Sequence, residues 1–218
     1  MQPIQQANEN EIATVIVIFA IKNKHLNILL VKRSAEPEDN KWALPGGTWT
    51  GEKKLQETAT ARLQLETGAK DVYLEQLFTI SGLNNYNPKS IAVCYFALVN
   101  EKDVTLRAEK TWQPKWFNAN QINSLAFKNK VVIEKALERI ESKLQYSNVA
   151  YSLLPNEFTL RELQETYEAI IGKKFDRRNF RKSMISNNII IQNGKFRKSG
   201  AYRPAALYKF ISKVPTLF

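Results

Sequence analysis

Residues 44–68, LPGGTWTGEKKLQETATARLQLETG, are the stretch around which the chain is organised. They read as the end of a short strand, a glycine turn at Gly46-Gly47 and a helix. Adjacent glycines let backbone approach a ligand closely and open φ values closed to other residues. On the helix, Lys54, Thr58, Arg62 and Glu66 recur at four-residue steps and share one face. Arg62 and Glu66 have the spacing of an i,i+4 ion pair. A stripe of two bases and one acid could meet an anion directly, with no metal between. A solvated amphipathic helix is the plainer reading of the same letters.

This layout resembles the Nudix box, the loop-helix with which a family of enzymes holds divalent metal at a pyrophosphate. The family pattern runs from a glycine through an acid, an Arg-Glu pair and paired acids to a closing glycine. Laid on without gaps, the end glycines fall on Gly47 and Gly68. The interior does not fit. Lys53 holds the first acidic position, with Glu52 one place early. The Arg-Glu pair falls on Ala61 and Arg62, and the paired acids on Leu65 and Glu66. Hard cations need several oxygen ligands, so the resemblance implies a ligand pocket that has lost catalysis, with no catalytic residue, metal or cofactor. In Nudix proteins a base after the second strand often lies near the ligand, which points to Arg33. The expected ligand set is Arg33, Trp42, Gly46, Gly47, Arg62 and Glu66.

Upstream of the box, residues 13–21 (ATVIVIFAI) are apolar and β-branched, a buried strand. A polar turn at Lys22-Asn23-Lys24-His25 leads into LNILLVKR, and the two strands read as a hairpin. The sole histidine, His25, has no acid or second histidine beside it and reads as a solvated turn residue. Downstream, residues 72–80 and 90–99 read as strands joined by the polar loop SGLNNYNPK. Residues 112–117, WQPKWF, form a last short strand, with Pro114 marking an edge or a bulge. A helical turn over 118–124 precedes a long helix over 127–146. There Val132, Ile133, Ala136, Leu137, Ile140 and Leu144 recur at three- and four-residue steps. The whole is α+β, a Nudix-type α/β/α sandwich.

The chain has 218 residues, 44% hydrophobic and 24% charged, with a formal net charge of +11. Size and composition suit one large or two small globular domains. One cysteine, Cys94, cannot form an internal disulfide; within IAVCYFAL it reads as a small buried hydrophobe. No apolar stretch is long enough to cross a membrane and no signal peptide is read, so a cytoplasmic protein is expected. The charge is uneven. From Ser147 onward there are 13 Lys or Arg against 5 Asp or Glu, a net of +8; the remainder, 19 against 16, carries +3. Turn residues Asn148, Pro155 and Asn156 place a boundary there, giving domains 1–146 and 147–218, the second suited to a polyanion.

The second domain opens on Thr159-Leu160-Arg161-Glu162, a capping box. Its helix buries Leu160, Leu163, Tyr167, Ile170 and Ile171 and ends at Gly172. After KKF, a helix DRRNFRKSMISNN turns Phe180 and Met184 inward and leaves Arg177, Arg178, Asn179, Arg181 and Lys182 outside. Helix, short turn and basic helix are the order of a helix-turn-helix, whose second helix enters the major groove. Arg suits guanine edges and Asn adenine edges. Ile189–Ile191 then reads as a strand and Asn193-Gly194 as a hairpin turn. The basic hairpin that follows, with Lys195, Arg197, Lys198 and Arg203, makes this a winged helix-turn-helix on double-stranded DNA.

Taken whole, the degenerate box joined to FTLRELQETYEAIIG, DRRNFRKSM and RPAALYKF resembles the Nudix-related transcriptional regulators of NAD metabolism, the NrtR-like family. The resemblance implies a repressor that dimerises through its Nudix domains, a palindromic operator, and release by ADP-ribose or, as in some relatives, a sugar. The rival expectation is a Nudix hydrolase with a basic accessory domain, its metal held by Glu52, Glu57 and Glu66. An RNA-binding adaptor ranks last, because no exposed aromatic-basic pairs on a sheet are evident.

Overall fold

The computed structural model describes residues 11–70, 72–108, 113–198 and 204–218. Its front half is a mixed sheet between helices. Strands β1 (Ile12–Lys22) and β2 (His25–Lys32) form the expected hairpin. Asn23 and Lys24 make the turn, both at positive φ, 51° and 63°, as a type I′ turn requires. The other strands are β3 (Trp42–Ala43), β4 (Gly46–Thr48), β5 (Tyr73–Ser81), β6 (Ile91–Leu98) and β7 (Gln113–Asn118). The main path is β3-β2-β1-β6-β5, with β4 on β1 and β7 on β2. Only β1 and β6 pair in parallel among the described strands. Among the described strands β7 pairs with β2 alone, so Pro114 sits on an edge and removes no interior ladder bond; Trp112 lies outside the described residues.

Strand β1 is apolar from Val15 to Ile21 because both faces are covered. Ile16, Ile18 and Ala20 pack with Ala59 and Leu63 of α1 (Leu55–Thr67). Val15, Val17 and Phe19 pack on the opposite side with Val132, Ile133, Ala136 and Ile140 of α2 (Asn129–Tyr146). This is the α/β/α sandwich. A fully buried side chain such as Phe19 contributes about 2 kcal/mol by leaving water. Glu57 accepts from the Lys54 amide at 3.2 Å to start α1, and Gly68 ends it at φ 65°.

The stretch 147–157 was expected as a turn-rich connection, and much of it is core. A 3-10 turn, Val149–Ser152, buries Val149 and Ala150, and Leu153 and Leu154 follow them inward. Buried Asn148 staples the C-terminal tail: its amide donates to the Ser212 and Val214 carbonyls at 3.0 Å and its oxygen accepts from the Thr216 amide at 2.8 Å. One apolar cluster runs from the sandwich through these residues to Phe158 and Phe210.

The last part holds β8 (Phe158–Thr159), α3 (Leu160–Ile171), α4 (Arg177–Ser186), β9 (Ile190–Arg197) and β10 (Ala205–Phe210). The sheet order is β8-β10-β9. Thr159 and Glu162 close the capping box, and Gly172 ends α3 at φ 71°. Asn193-Gly194 does not turn the chain. It lies inside β9, where the register jumps from Ala206↔Phe196 to Tyr208↔Gln192. The intervening residues form a bulge opposite Leu207, and Gly194 takes φ 79° within it. Leu207 pairs with Thr159 on its other side, and that tertiary pairing overrides the local turn signal.

Candidate ligand cavity and nucleic-acid interface

A cavity of about 520 Å³ opens at the edge of the sandwich where β1, β3 and β4 meet the start of α2. That is a small-molecule volume. Lys32 and Arg33 supply positive charge on one wall. Arg33 Nε donates to the Pro37 carbonyl at 3.0 Å and a terminal nitrogen to that of Ala35 at 3.2 Å. Its guanidinium also lies 4.7 Å from the centre of the Phe127 ring. Phe127 lines the cavity at φ 54°, a strained setting for an aromatic residue. Asn129, buried at the first turn of α2, accepts from the Leu44 amide at 2.8 Å and so ties the LPGG segment to that helix.

Of the six expected ligand residues, Arg33, Gly46 and Gly47 line this cavity. The other three do not, and each has a physical reason. Trp42 alternates with cavity-lining Ala43 on β3 and turns to Phe117, ring centres 4.7 Å apart. Glu66 is 1% exposed and ion-paired to Arg62 at 2.8 Å, so the helical stripe is closed on itself. The glycines differ too. Neither has positive φ, because both lie in β4. A Cβ on Gly46 would meet the Thr14 carbonyl oxygen at 2.5 Å, so strand packing demands this glycine; Gly47 has nothing within 4 Å and opens to the cavity. Sequence reasoning missed Lys32, Phe127 and Asn129. Asn129 had a signal, a polar residue at the head of an apolar helix; Phe127 had none.

The donors do not suit a divalent metal. Glu66 is taken by Arg62, Glu57 caps α1, Glu52 is exposed, and Leu65 is 60% exposed where the pattern has an acid. Among the described residues no three His, Cys, Asp or Glu side chains converge. Cys94 is buried, its thiol pushed up to about 12 by desolvation, so it offers no thiolate.

In the winged part, Asp176 caps α4 by accepting from the Arg178 and Asn179 amides at 3.1 and 2.9 Å. Phe180 and Met184 face the core; Arg177, Arg178, Asn179, Arg181 and Lys182 are exposed. Among the described residues none of these four bases makes an ion pair. The α3–α4 turn is fixed by Glu168, which accepts from Lys174 at 2.6 Å, Gln164 at 2.8 Å and the Phe175 amide at 3.1 Å. The Lys174 hydrogen bond, then those from Gln164 and Phe175, hold its carboxyl down to about 2. The wing bases are less free. Lys195 pairs with Glu157 and Arg197 with Glu162, both at 2.7 Å, while Lys198 is exposed at the end of β9. Arg203 lies outside the described residues.

Comparison with known families agrees with this division. Residues 10–139 match the NUDIX domain, and residues 150–210 match the NrtR DNA-binding winged helix domain. The chain belongs to the NrtR family. A relative from Acinetobacter baylyi, the ADPR responsive transcriptional repressor NtrR, is 33% identical over 201 residues, covering 89% of this chain and 80% of that one. NrtR of Shewanella oneidensis, solved with a 27mer DNA, superposes with a TM-score of 0.81 at 32% identity over 91% of this chain and 93% of its own. The NUDIX domain of that same protein, solved with ADP ribose, gives a TM-score of 0.53 at 30% identity over 59% of this chain and 87% of its own. Among the described residues no helix is long and apolar enough to cross a membrane.

Proposed function

We propose that this chain is a transcriptional repressor that senses ADP-ribose in its Nudix half and binds operator DNA through its winged helix. One observation carries the reading: a nucleotide-sized cavity stands open beside a box whose remaining acid is closed by Arg62, on the same chain as a recognition helix with unpaired bases. The chemistry left at the cavity is binding. Lys32 and Arg33 suit the diphosphate of ADP-ribose, and the open face of Gly47 admits it against the β4 backbone. Residues 1–146 form the sensor and residues 147–218 the reader. Arg177, Arg178, Asn179, Arg181 and Lys182 enter the major groove, and Lys195, Arg197, Lys198 and Arg203 follow the backbone. The protein acts as a cytoplasmic homodimer on a palindromic operator of NAD-metabolism genes. Its effector favours the dimer state whose recognition helices no longer match the half-sites.

The test is a mobility shift on the upstream region of the protein's own gene, with and without ADP-ribose. Specific binding that ADP-ribose dissolves is expected. Gly47→Trp fills the cavity from an open position, so it keeps the operator complex and loses its release by ADP-ribose. Absence of specific binding at moderate salt, or efficient turnover of ADP-ribose with Mg²⁺, overturns the reading.

A further inference from the structure

A second cleft, of about 500 Å³, lies between the β1–β2 turn and the helix-turn-helix, and cations line both walls. Lys24 and His25 come from the front half. Arg161 of α3, Lys173 and Lys174 of the α3–α4 turn, and Arg177 of α4 face them. Lys24 and Arg161 share one oxygen of Glu165, at 3.0 and 2.9 Å, and Lys174 pairs with Glu168. Lys173 and Arg177 make no ion pair among the described residues. Two carboxylates thus stand against five permanent cations, and the excess is positive. Arg177 is the first residue of the recognition helix, so the cleft opens beside the surface that meets duplex.

The turn holds a second, independent sign. Its second position has φ 63°, where glycine is at ease, yet the residue is Lys24. Nothing in the hairpin requires that side chain. What it provides is a cation, 64% exposed, directed at α3 across the cleft.

We propose that a backbone phosphate of the operator binds in this cleft, held by Lys24 of the Nudix half together with Arg161, Lys173 and Arg177, and that Glu165 competes with it for Lys24 and Arg161. The proposal rests on the DNA-binding reading above. It makes the sensor half a direct contributor to DNA affinity, so a ligand that shifts the two halves apart removes a phosphate contact as well as misaligning the helices.

Two variants of the full-length protein test it, with operator affinity measured across a salt series. Lys24→Gly relieves the strained turn, so its thermal midpoint holds or rises. Its operator affinity is expected to fall about tenfold at moderate salt, and the slope of log affinity against log salt to become shallower by ~0.9, one phosphate's worth. Glu165→Gln frees both cations and is expected to bind more tightly. Wild-type affinity and slope in Lys24→Gly overturn the proposal. So does weaker binding by Glu165→Gln, since Lys24 would then act only through its ion pair. A wild-type chain that ignores its operator overturns this proposal and the DNA-binding reading together; a normal wild type with an indifferent Lys24→Gly overturns this one alone.

Discussion

Helices α1 and α4 each carry arginines at positions where a ligand or a polyanion could be met, and the protein treats them in opposite ways. On α1, Arg62 closes on Glu66 at 2.8 Å, with the carboxylate side chain fully buried and the arginine side chain only a quarter exposed. On α4, Arg177, Arg178, Arg181 and Lys182 project into solvent from a helix anchored by Phe180 and Met184. Charge neutralised by a neighbour within the same helix is structure. Charge left unpaired on a well-packed helix is available to another molecule. The contrast separates the two helices by use of charge: α1 spends its arginine inside the helix, whereas α4 leaves its bases open to solvent.

The largest effect expected from this contrast is at α4. Arg178→Ala combined with Arg181→Ala should weaken operator binding by about 100-fold or more, since each base-reading arginine contributes about 1–3 kcal/mol. Folding and ADP-ribose binding should stay as they are. Titration of both ligands against the double variant checks this, and loss of both activities would show that α4 bases are structural after all. Next is α1. Arg62→Ala removes the 2.8 Å ion pair to a buried carboxylate and should cost about 3 kcal/mol of stability, the low end for breaking a buried pair because Arg62 keeps some exposure. Replacing both residues with leucine should recover most of that loss, as measured by chemical denaturation. Operator affinity per folded molecule should not change in either variant.

Features set by neighbours in the chain were legible in the sequence. The capping box at Thr159, the stop at Gly172, the apolar seam of Phe180 and Met184 and the i,i+4 pairing of Arg62 with Glu66 all came from local spacing, and the structure has them. The failures share one cause, a distant partner. Asn193-Gly194 is the strongest hairpin signal in the chain, yet β10 pairs with β8 as well as β9 and turns that dipeptide into a bulge. Gly46 read as a ligand-facing glycine and does line the cavity, but the Thr14 carbonyl 2.5 Å from its virtual Cβ gives it a packing reason that only the distant β1 supplies. The 147–157 stretch read as turn-rich, near a domain boundary, because Asn148, Pro155 and Asn156 look like turn formers. Only the returning tail, which takes the hydrogen bonds of Asn148, shows why its apolar neighbours are core. At the cavity, Arg33 came from the Nudix resemblance, whereas Phe127 and Asn129 became wall residues only when α2 was placed against Leu44.

Tyr167 is the third case that the comparison between α1 and α4 calls for: a polar group both buried and unpaired. It packs edge-on to Phe180, ring centres 5.3 Å apart, at the junction of α3 and α4. It is 3% exposed, and its hydroxyl has no hydrogen-bond partner among the described residues. Desolvation pushes its phenol above the ordinary range, so the group stays neutral and gains nothing by ionising. A buried hydroxyl without a partner costs free energy that a hydrogen in its place does not. Tyr167→Phe is therefore expected to leave the thermal midpoint unchanged or to raise stability by up to about 1 kcal/mol. The ring contact that orients α4 remains, so operator affinity should be retained. A clear fall in stability would mean that the hydroxyl is satisfied in solution. A fall in operator affinity at constant stability would mean that it finds its partner only when α4 is seated on DNA. Either outcome would move Tyr167 from the unpaired side of the comparison to the paired one.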